Sequence, residues 1–390
     1  MKLVYLANNR IPSEKANSLQ IMQMCQAFQQ NGVQVELVVP HRVQPTAMRS
    51  VEDPFAYYGI SDRFRITRLP CLDALEVAPA QIQHPAFVVQ SITFALSVAG
   101  YLASHRADVY YSRDPLSTVL LSLLPRSLRS RAVYESHTFP RPGPRQSAHL
   151  WSARRLGRMV CITRGLAEEY LSGGIPQERV LVAPDAVDLT RFDAMPSRED
   201  ARRQLGIPLD AVVVAYTGHL YRWKGAHTLA EASRSLPPDY LVYLVGGTDE
   251  DIAAMRHHLA EKGLDRVRLA GRVPPNGVLP YLAAANVLAL PNSGAGAISS
   301  RYTSPMKLFE YMAAHRPIVA SRIPSLQEVL RDGENARLVT ADDPRDLARG
   351  LTEIASSAEY ASRLAEQAWQ QVQGHTWFER ARAILEFVRC

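Results

Sequence analysis

Residues 302–321 read YTSPMKLFEYMAAHRPIVAS, a polar loop running into an amphipathic helix with one acidic residue, Glu310. Thr303 and Ser304 suit a helix cap and Pro305 suits the first helical position. The exposed N–H groups and the dipole there would favour an anion such as a phosphate. Leu308, Phe309 and Met312 supply an apolar face, His315-Arg316-Pro317 ends the helix, and Ile318-Val319-Ala320 follows as a short buried strand. A solvated glutamate on an ordinary helix would account for Glu310 taken alone. The loops flanking it in the same half of the chain point instead to a ligand.

Working outward, the same alternation of short Val-, Leu- and Tyr-rich runs with longer stretches of helical period fills both halves, the signature of parallel sheets built from βα units. In the first half the expected strands are 3–7, 33–39, 65–69, 108–112, 132–136, 159–163 and 180–183. In the second half they are 212–217, 241–246, 267–270, 287–291, 318–321 and 336–339. A length of 390 residues exceeds what one core usually supports, so two domains are expected. The divisions predicted are 1–193, a connector with a short helix over 194–210, a second domain over 211–375, and a C-terminal helix over 376–390 that packs back on one of them. The fold class is α/β, with two Rossmann-like doubly wound domains facing a central cleft, where ligands collect at the carboxyl ends of the strands.

The hydrophobic fraction of 47% and charged fraction of 21% are those of a folded globular protein. The net charge of +6, with arginines gathered between Arg126 and Arg158, calls for anionic partners. Nucleic acid is not expected, because no helix-turn-helix, zinc-finger or aromatic RNA-binding pattern accompanies the charge. A phosphorylated substrate, or an anionic membrane surface met peripherally through the Arg126 to Arg158 region, fits as well. Cys25, Cys71, Cys161 and Cys390 match no metal-ligand spacing and read as reduced thiols of a cytoplasmic protein. The N-terminus reads as a first strand and not as a signal peptide. The apolar stretch Ala86 to Ala103 reads as a core helix, since Gln90, Ser91, Thr93 and Ser97 interrupt it.

Four constellations carry the candidate chemistry. In TGHLYRWKG (217–225), Gly218 permits a tight turn while His219, Arg222 and Lys224 present cations near a helix start, an arrangement suited to a diphosphate. Leu244-Val245-Gly246-Gly247-Thr248 is a strand ending in a glycine pair that would admit a ligand to the backbone. Its Asp249 and Asp251 are explained by the dipole of a helix capped by Thr248, so no metal is assigned. Asn292 to Ala297 resembles a dinucleotide loop but lacks the third glycine, and reads as a flexible ligand-lining loop. In VYESHTFP (133–140), a strand delivers His137 to the carboxyl edge of the first sheet, where imidazole can bond a hydroxyl or move a proton.

Together these stretches resemble the family-4 glycosyltransferases of the GT-B architecture over most of the chain. IPSEKANSLQIMQMCQAFQQNGVQVELVVP looks like the family's first loop, helix and second strand, and VCITRGLAEEYLSGGIPQERVLVAPDAVDLTRFD like the close of its acceptor domain. TGHLYRWKG is similar to its phosphate loop, and SPMKLFEYMAAHRPIVAS to its donor-binding helix and following strand. The resemblance implies a retaining, metal-independent hexosyltransferase that uses a UDP- or GDP-linked sugar, needs no other cofactor, and serves a glycan, lipid-linked or small-molecule acceptor.

The resemblance also implies the site roles. Lys224, with Arg222, neutralises the departing diphosphate, and His137 faces the transferred sugar. Glu310 matches the second glutamate of the family's Glu-x7-Glu motif and binds the ribose. Gly218, His219, Gly247, Arg272, Tyr302, Thr303, Ser304, Met306 and Lys307 complete the donor set. The chain departs from the family pattern at Tyr302, which replaces the first glutamate, at His219, which replaces an arginine, and in the glycine-free loop 11–18. A sugar-nucleotide epimerase or hydrolase, or a non-catalytic carbohydrate-binding subunit, stands as the alternative.

Overall fold

Residues at alternate positions along a parallel strand must find apolar cover on both faces, and the inner strands here supply it. The computed structural model describes residues 1–75 and 79–389. Seven strands, β1 (Lys2–Leu6), β2 (Gln34–Pro40), β3 (Arg65–Leu69), β4 (Val109–Ser112), β5 (Ala132–Ser136), β6 (Arg158–Cys161) and β7 (Val180–Val182), pair in parallel in the order β3-β2-β1-β4-β5-β6-β7. Six more, β8 (Val212–Thr217), β9 (Tyr240–Val245), β10 (Val267–Gly271), β11 (Val287–Leu290), β12 (Ile318–Ser321) and β13 (Arg337–Val339), pair in the order β10-β9-β8-β11-β12-β13. Both sheets are doubly wound, and the strands expected from the sequence all form, their ends shifted by two residues at most.

The chain divides into two compact units. The first takes Met1–Ile162, Leu166–Pro184 and the chain from Trp377 on. The second takes Thr163–Gly165 and Asp185–Thr376. Residues 185–193 and the expected connector therefore belong to the second unit. Helix Arg198–Leu205, capped by Ser197, buries Ala201 in that unit's core, and its buried Arg202 donates to Ala284 O (3.1 Å) and to Asn286 Oδ1 (2.6 Å). A segment so bonded is structure and not linker. Helix Trp377–Arg389 joins the first unit, burying Trp377, Arg380, Ala381, Ile384 and Leu385. Cys390 lies outside the described residues, and Cys25, Cys71 and Cys161 are free thiols.

In the second unit, Val213 and Ala215 of β8 enter one apolar cluster and Val214 and Tyr216 the other, so the strand is covered on both faces. The loop leaving β8 is fixed by glycine. Gly225 has φ +78°, and a Cβ there would stand 1.6 Å from Pro291 O just past β11.

Helix Gln83–Ser104 corrects an expectation. It was read as core and is core on one side only: Phe94, Val98, Tyr101 and Leu102 are buried with Gln90 and Ser91, while Phe87, Val88, Val89, Ile92 and Leu96 are exposed. The Asn8 amide past β1 accounts for the two buried polar residues. Gln90 Nε2 donates to Asn8 Oδ1 (3.0 Å) and Asn8 Nδ2 donates to Ser91 Oγ (2.9 Å), so both are bonded where they are buried.

Replacing Gly225 by Ala would combine a left-handed backbone with a backbone clash. Gly225→Ala should destabilise the protein by about 3 kcal/mol or more in denaturant unfolding, and an unchanged midpoint would refute this account of the turn.

Candidate functional site

In the second unit the strand order reverses between β8 and β11, so their carboxyl ends form the switch point where a ligand would sit. Three side chains of the expected donor set meet there. Lys307 is buried; its Nζ donates to Thr217 O (3.0 Å), lies 3.6 Å from the Tyr216 ring centroid, and would be 3.6 Å from a Cβ on Gly218. Lys224 closes the short turn Arg222–Lys224, just before helix Ala226–Ala232. Burial lowers Lys224 to about 8 against the opposing pull of Asp251. Lys307 is driven well below the ordinary lysine value by burial and then by the charge of Lys224, with Glu310 opposing. Two lysines lowered by burial, the charge of Lys224 further lowering Lys307, with Asp251 opposing at the one and Glu310 at the other, suit an anion.

Glu310 lies on helix Met306–Ala313 and accepts a charged hydrogen bond from Arg191 Nη1 (3.4 Å), whose Nη2 donates to Pro275 O (3.0 Å). One turn of that helix grips the end of β8 twice. Lys307 takes Thr217 O, and Tyr311 OH accepts from Thr217 N (2.8 Å). The expected caps do not form. Pro305 is the N-cap, and Ser304 Oγ accepts instead from Asp185 N (2.9 Å), so that hydroxyl is already engaged. Thr303 and Met306 are half-buried in this approach, and the Tyr302 ring is buried with the Arg301 guanidinium 5.9 Å from its centroid.

Other expected donor residues serve the scaffold. A Cβ on Gly246 would meet Gly218 O at 2.6 Å, and one on Gly247 would meet Leu220 at 3.1 Å. The glycine pair thus admits the neighbouring loop. His219 stacks on Tyr221 (centroids 4.9 Å apart), and its Nδ1 is 3.9 Å from Asp251 Oδ2. Asp251 completes a capping box with Thr248. Among the described residues no group of three or more His, Cys, Asp or Glu is placed to hold a metal ion. Arg222 and Arg272 are exposed. The loop after β11 is tied down, Ser293 N donating to Trp223 O (2.9 Å) and Gly294 N to Asp342 Oδ2 (2.8 Å). Between these ties Asn292 is buried, and neither side-chain polar atom has a protein partner.

In the first unit His137 follows β5 and keeps 17% of its side-chain surface open. Its Nε2 lies 2.6 Å from Glu135 Oε1, so the proton sits on Nε2 and Nδ1 is left as an acceptor. Burial lowers His137 to about 4, helped by Arg113 and opposed by the Glu135 hydrogen bond, and the ring is neutral at pH 7. Glu135 is fully buried. Burial would raise it, but the charge of Arg380 and then the His137 hydrogen bond hold it well below the usual carboxylate value. Its carboxylate accepts from Gln20 Nε2 (2.7 Å), from Arg380 Nη1 (3.0 Å) and from Tyr111 OH. Arg380 also donates to Pro184 O (2.8 Å) and Ala183 O (3.1 Å).

Residues 19–191 match the family described as Glycosyltransferase Family 4, and residues 211–357 match Glycosyl transferases group 1. The chain belongs to the family-4 glycosyltransferases of the GT-B architecture. It is similar to a D-inositol 3-phosphate glycosyltransferase of Corynebacterium urealyticum, 30% identical over 54% of this chain and 51% of that one. It is also similar to the lipopolysaccharide core biosynthesis glycosyltransferase LpsE of Rhizobium meliloti, 31% identical over 55% and 59%. In each case the match spans little more than half the relative's length. In fold it is similar to Anabaena HepE, solved in complex with UDP, with a TM-score of 0.76, 17% identity and both chains covered completely.

Four residues that hold the candidate site in place were not legible as motifs in this family-4 chain: Arg191, Tyr311, Glu135 and Arg380. Two carried a signal. Glu135 interrupts a strand of the buried parallel type, and Arg380 interrupts the apolar stripe of the last helix, so each charge called for a buried partner.

If the lysine pair receives a diphosphate, binding should raise both lysines and take up protons. UDP affinity should then fall as pH rises above about 8, where Lys224 without ligand loses its proton, by at most about tenfold per pH unit for that lysine. Titration calorimetry in two buffers of different ionisation enthalpy reads this directly, and a pH-independent affinity between pH 7 and 9.5 contradicts it. For the other unit, Arg380→Met leaves Glu135 buried without its cation and should cost about 3–5 kcal/mol at pH 7. Glu135 stability is present above the ordinary carboxylate value and lost as pH falls through its depressed one. The penalty should therefore shrink on acidification, when the orphaned carboxyl takes a proton. Chemical unfolding at pH 7 and pH 4.5 makes the comparison.

Proposed function

We propose that the chain transfers a sugar from a UDP- or GDP-linked donor to a hydroxyl of a glycan, lipid-linked or small-molecule acceptor, with retention at the anomeric carbon and without a metal. The observation that carries this is the meeting of Lys224, Lys307 and the Arg191-held Glu310 at the switch point of the second sheet. The lysines suit the diphosphate and Glu310 the ribose hydroxyls. The names of the two relatives support glycosyl transfer, and the UDP in the HepE complex supports the donor class.

In this reading the bond between the anomeric carbon and the diphosphate oxygen breaks, and its electron pair leaves with the phosphate. The acceptor oxygen bonds to the same face of that carbon, and its proton passes to the departing phosphate oxygen. No side chain need act as nucleophile. Lys224 and Lys307 stabilise the charge that grows on the leaving group, the largest electrostatic demand of the step. His137, neutral and aligned by Glu135, accepts a hydrogen bond from a hydroxyl of the transferred sugar through Nδ1. Asn292, with its unpartnered amide, is a further donor contact. The cytoplasm, with peripheral attachment to an anionic membrane through the basic first unit, is the proposed location.

A panel of nucleotide sugars with candidate acceptors, scored by nucleoside diphosphate release, tests the proposal. Turnover should survive chelator, and Lys224→Ala should lower the rate by about ten- to a thousandfold. Donor consumption without acceptor, giving free or epimerised sugar, would favour a hydrolase or epimerase. Absence of both donor binding and turnover would leave a non-catalytic subunit.

A further inference from the structure

The exposed face of helix Gln83–Ser104 is not explained by either sheet's chemistry. The helix has the length and apolarity to cross a membrane. It does not stand free to do so, because its inward side is bonded to the first unit along several turns. Besides the Asn8 bonds, Thr93 Oγ1 accepts from Leu72 N (3.0 Å) and Ser97 Oγ donates to Pro70 O (2.7 Å). Its outward side holds Val88, Val89, Ile92 and Leu96 at helical spacing, Leu96 being 67% exposed, and no residue from 83 to 104 is Lys, Arg, Asp or Glu. Leu72 on the adjoining loop is 66% exposed. Its buried side mixes Gln90 and Ser91 with Phe94, Val98, Tyr101 and Leu102, while the outward stripe of Val88, Val89, Ile92 and Leu96 is aliphatic and suits an apolar surrounding.

What lies beside that stripe selects the occupant. Helix Pro115–Leu123 packs against helix Gln83–Ser104, and helix Pro144–Arg155 packs against helix Pro115–Leu123. These carry further exposed apolar groups, Leu123 and Trp151, with the Arg155 guanidinium 4.7 Å from the Trp151 ring. Between residues 79 and 158 the sequence has ten arginines and three acids. The acids are all engaged within the fold: Asp108 accepts from Lys2 N (2.8 Å), Asp114 caps helix Pro115–Leu123, and Glu135 is buried with Arg380. Arg106, Arg126, Arg131, Arg141 and Arg145 are exposed. Aliphatic and aromatic groups flanked by arginines complement a bilayer with anionic headgroups better than they complement water.

We propose that the outward face of helix Gln83–Ser104, with the arginine-bearing helices beside it, seats the first unit on an anionic lipid bilayer. The helix lies in the plane of the interface. This rests on the peripheral attachment proposed above and moves its centre from the arginines alone to the apolar stripe. It favours a lipid-linked acceptor over a soluble one.

Co-sedimentation of the full chain with vesicles of phosphatidylcholine and phosphatidylglycerol, against phosphatidylcholine alone, tests the surface apart from catalysis. Binding should require phosphatidylglycerol, weaken with salt, and fall at least about tenfold in the Ile92→Glu, Leu96→Glu double variant. Unfolding midpoint and UDP affinity should not change in that variant, which separates loss of the surface from loss of the fold or of the donor site. Failure to bind anionic vesicles overturns the proposal, as does equal binding by the variant. A wild-type dimer in light scattering that the same substitutions dissociate, without any vesicle binding, would assign the face to a second copy instead. Wild-type vesicle binding without turnover of any sugar donor would leave the surface standing and remove the transferase reading.

Discussion

The ammonium of Lys307 is held in the interior of the second unit by one carbonyl, Thr217 O, and one aromatic face, Tyr216. Much of the candidate site depends on this contact. Removing a lysine from water disfavours its charged form, and a single hydrogen bond with a cation-π contact compensates only part of that cost. The strain is maintained because Lys307 and Tyr311 lie on one helical turn and take the carbonyl and the N–H of the same strand-end residue. That double grip sets where helix Met306–Ala313 meets β8, and with it the position of Glu310. An anion arriving there supplies what the fold withholds, so binding strength and the protonation of the two lysines are linked.

The first unit handles its buried charge in the opposite way. Glu135 receives a full set of donors, from Gln20, Tyr111, His137 and Arg380, and is held ionised well below its ordinary value. A satisfied carboxylate of this kind fixes its neighbours and does not wait for a ligand. Its product is a neutral imidazole with a defined tautomer at His137. One unit thus buries a lysine whose charged form is disfavoured, and the other a carboxylate whose charged form is held.

The same accounting for polar atoms bears on helix Gln83–Ser104. Asn8 past the end of β1 has both of its amide atoms bonded, by Gln90 and Ser91. With these and Phe94, Val98 and Leu102 facing inward, helical geometry places Val88, Ile92 and Leu96 outside. Hydrogen bonding and apolar burial inside the first unit together leave an apolar surface outside it.

The strands were legible because β-branched and aromatic runs bounded by glycine and proline are local signals, and the loops that carry Lys224 and His137 follow two of them. The boundary at 193 was not legible. Whether helix Arg198–Leu205 links or packs depends on Arg202 reaching Ala284 and Asn286, far along the chain. The capping role of Ser304 was misjudged for the same reason, since a residue 119 positions away takes its hydroxyl. A helix without charged residues also carries no strong local mark of which side faces the protein. By itself the sequence determined the two doubly wound sheets, the family and the loops that carry the chemistry, because periodicity and turn residues act over a few positions. Only the tertiary structure decided the pairs Arg191–Glu310 and Arg380–Glu135, 119 and 245 residues apart, and the outward face of helix Gln83–Ser104. Charge compensation and burial are settled between segments that meet only when the chain folds.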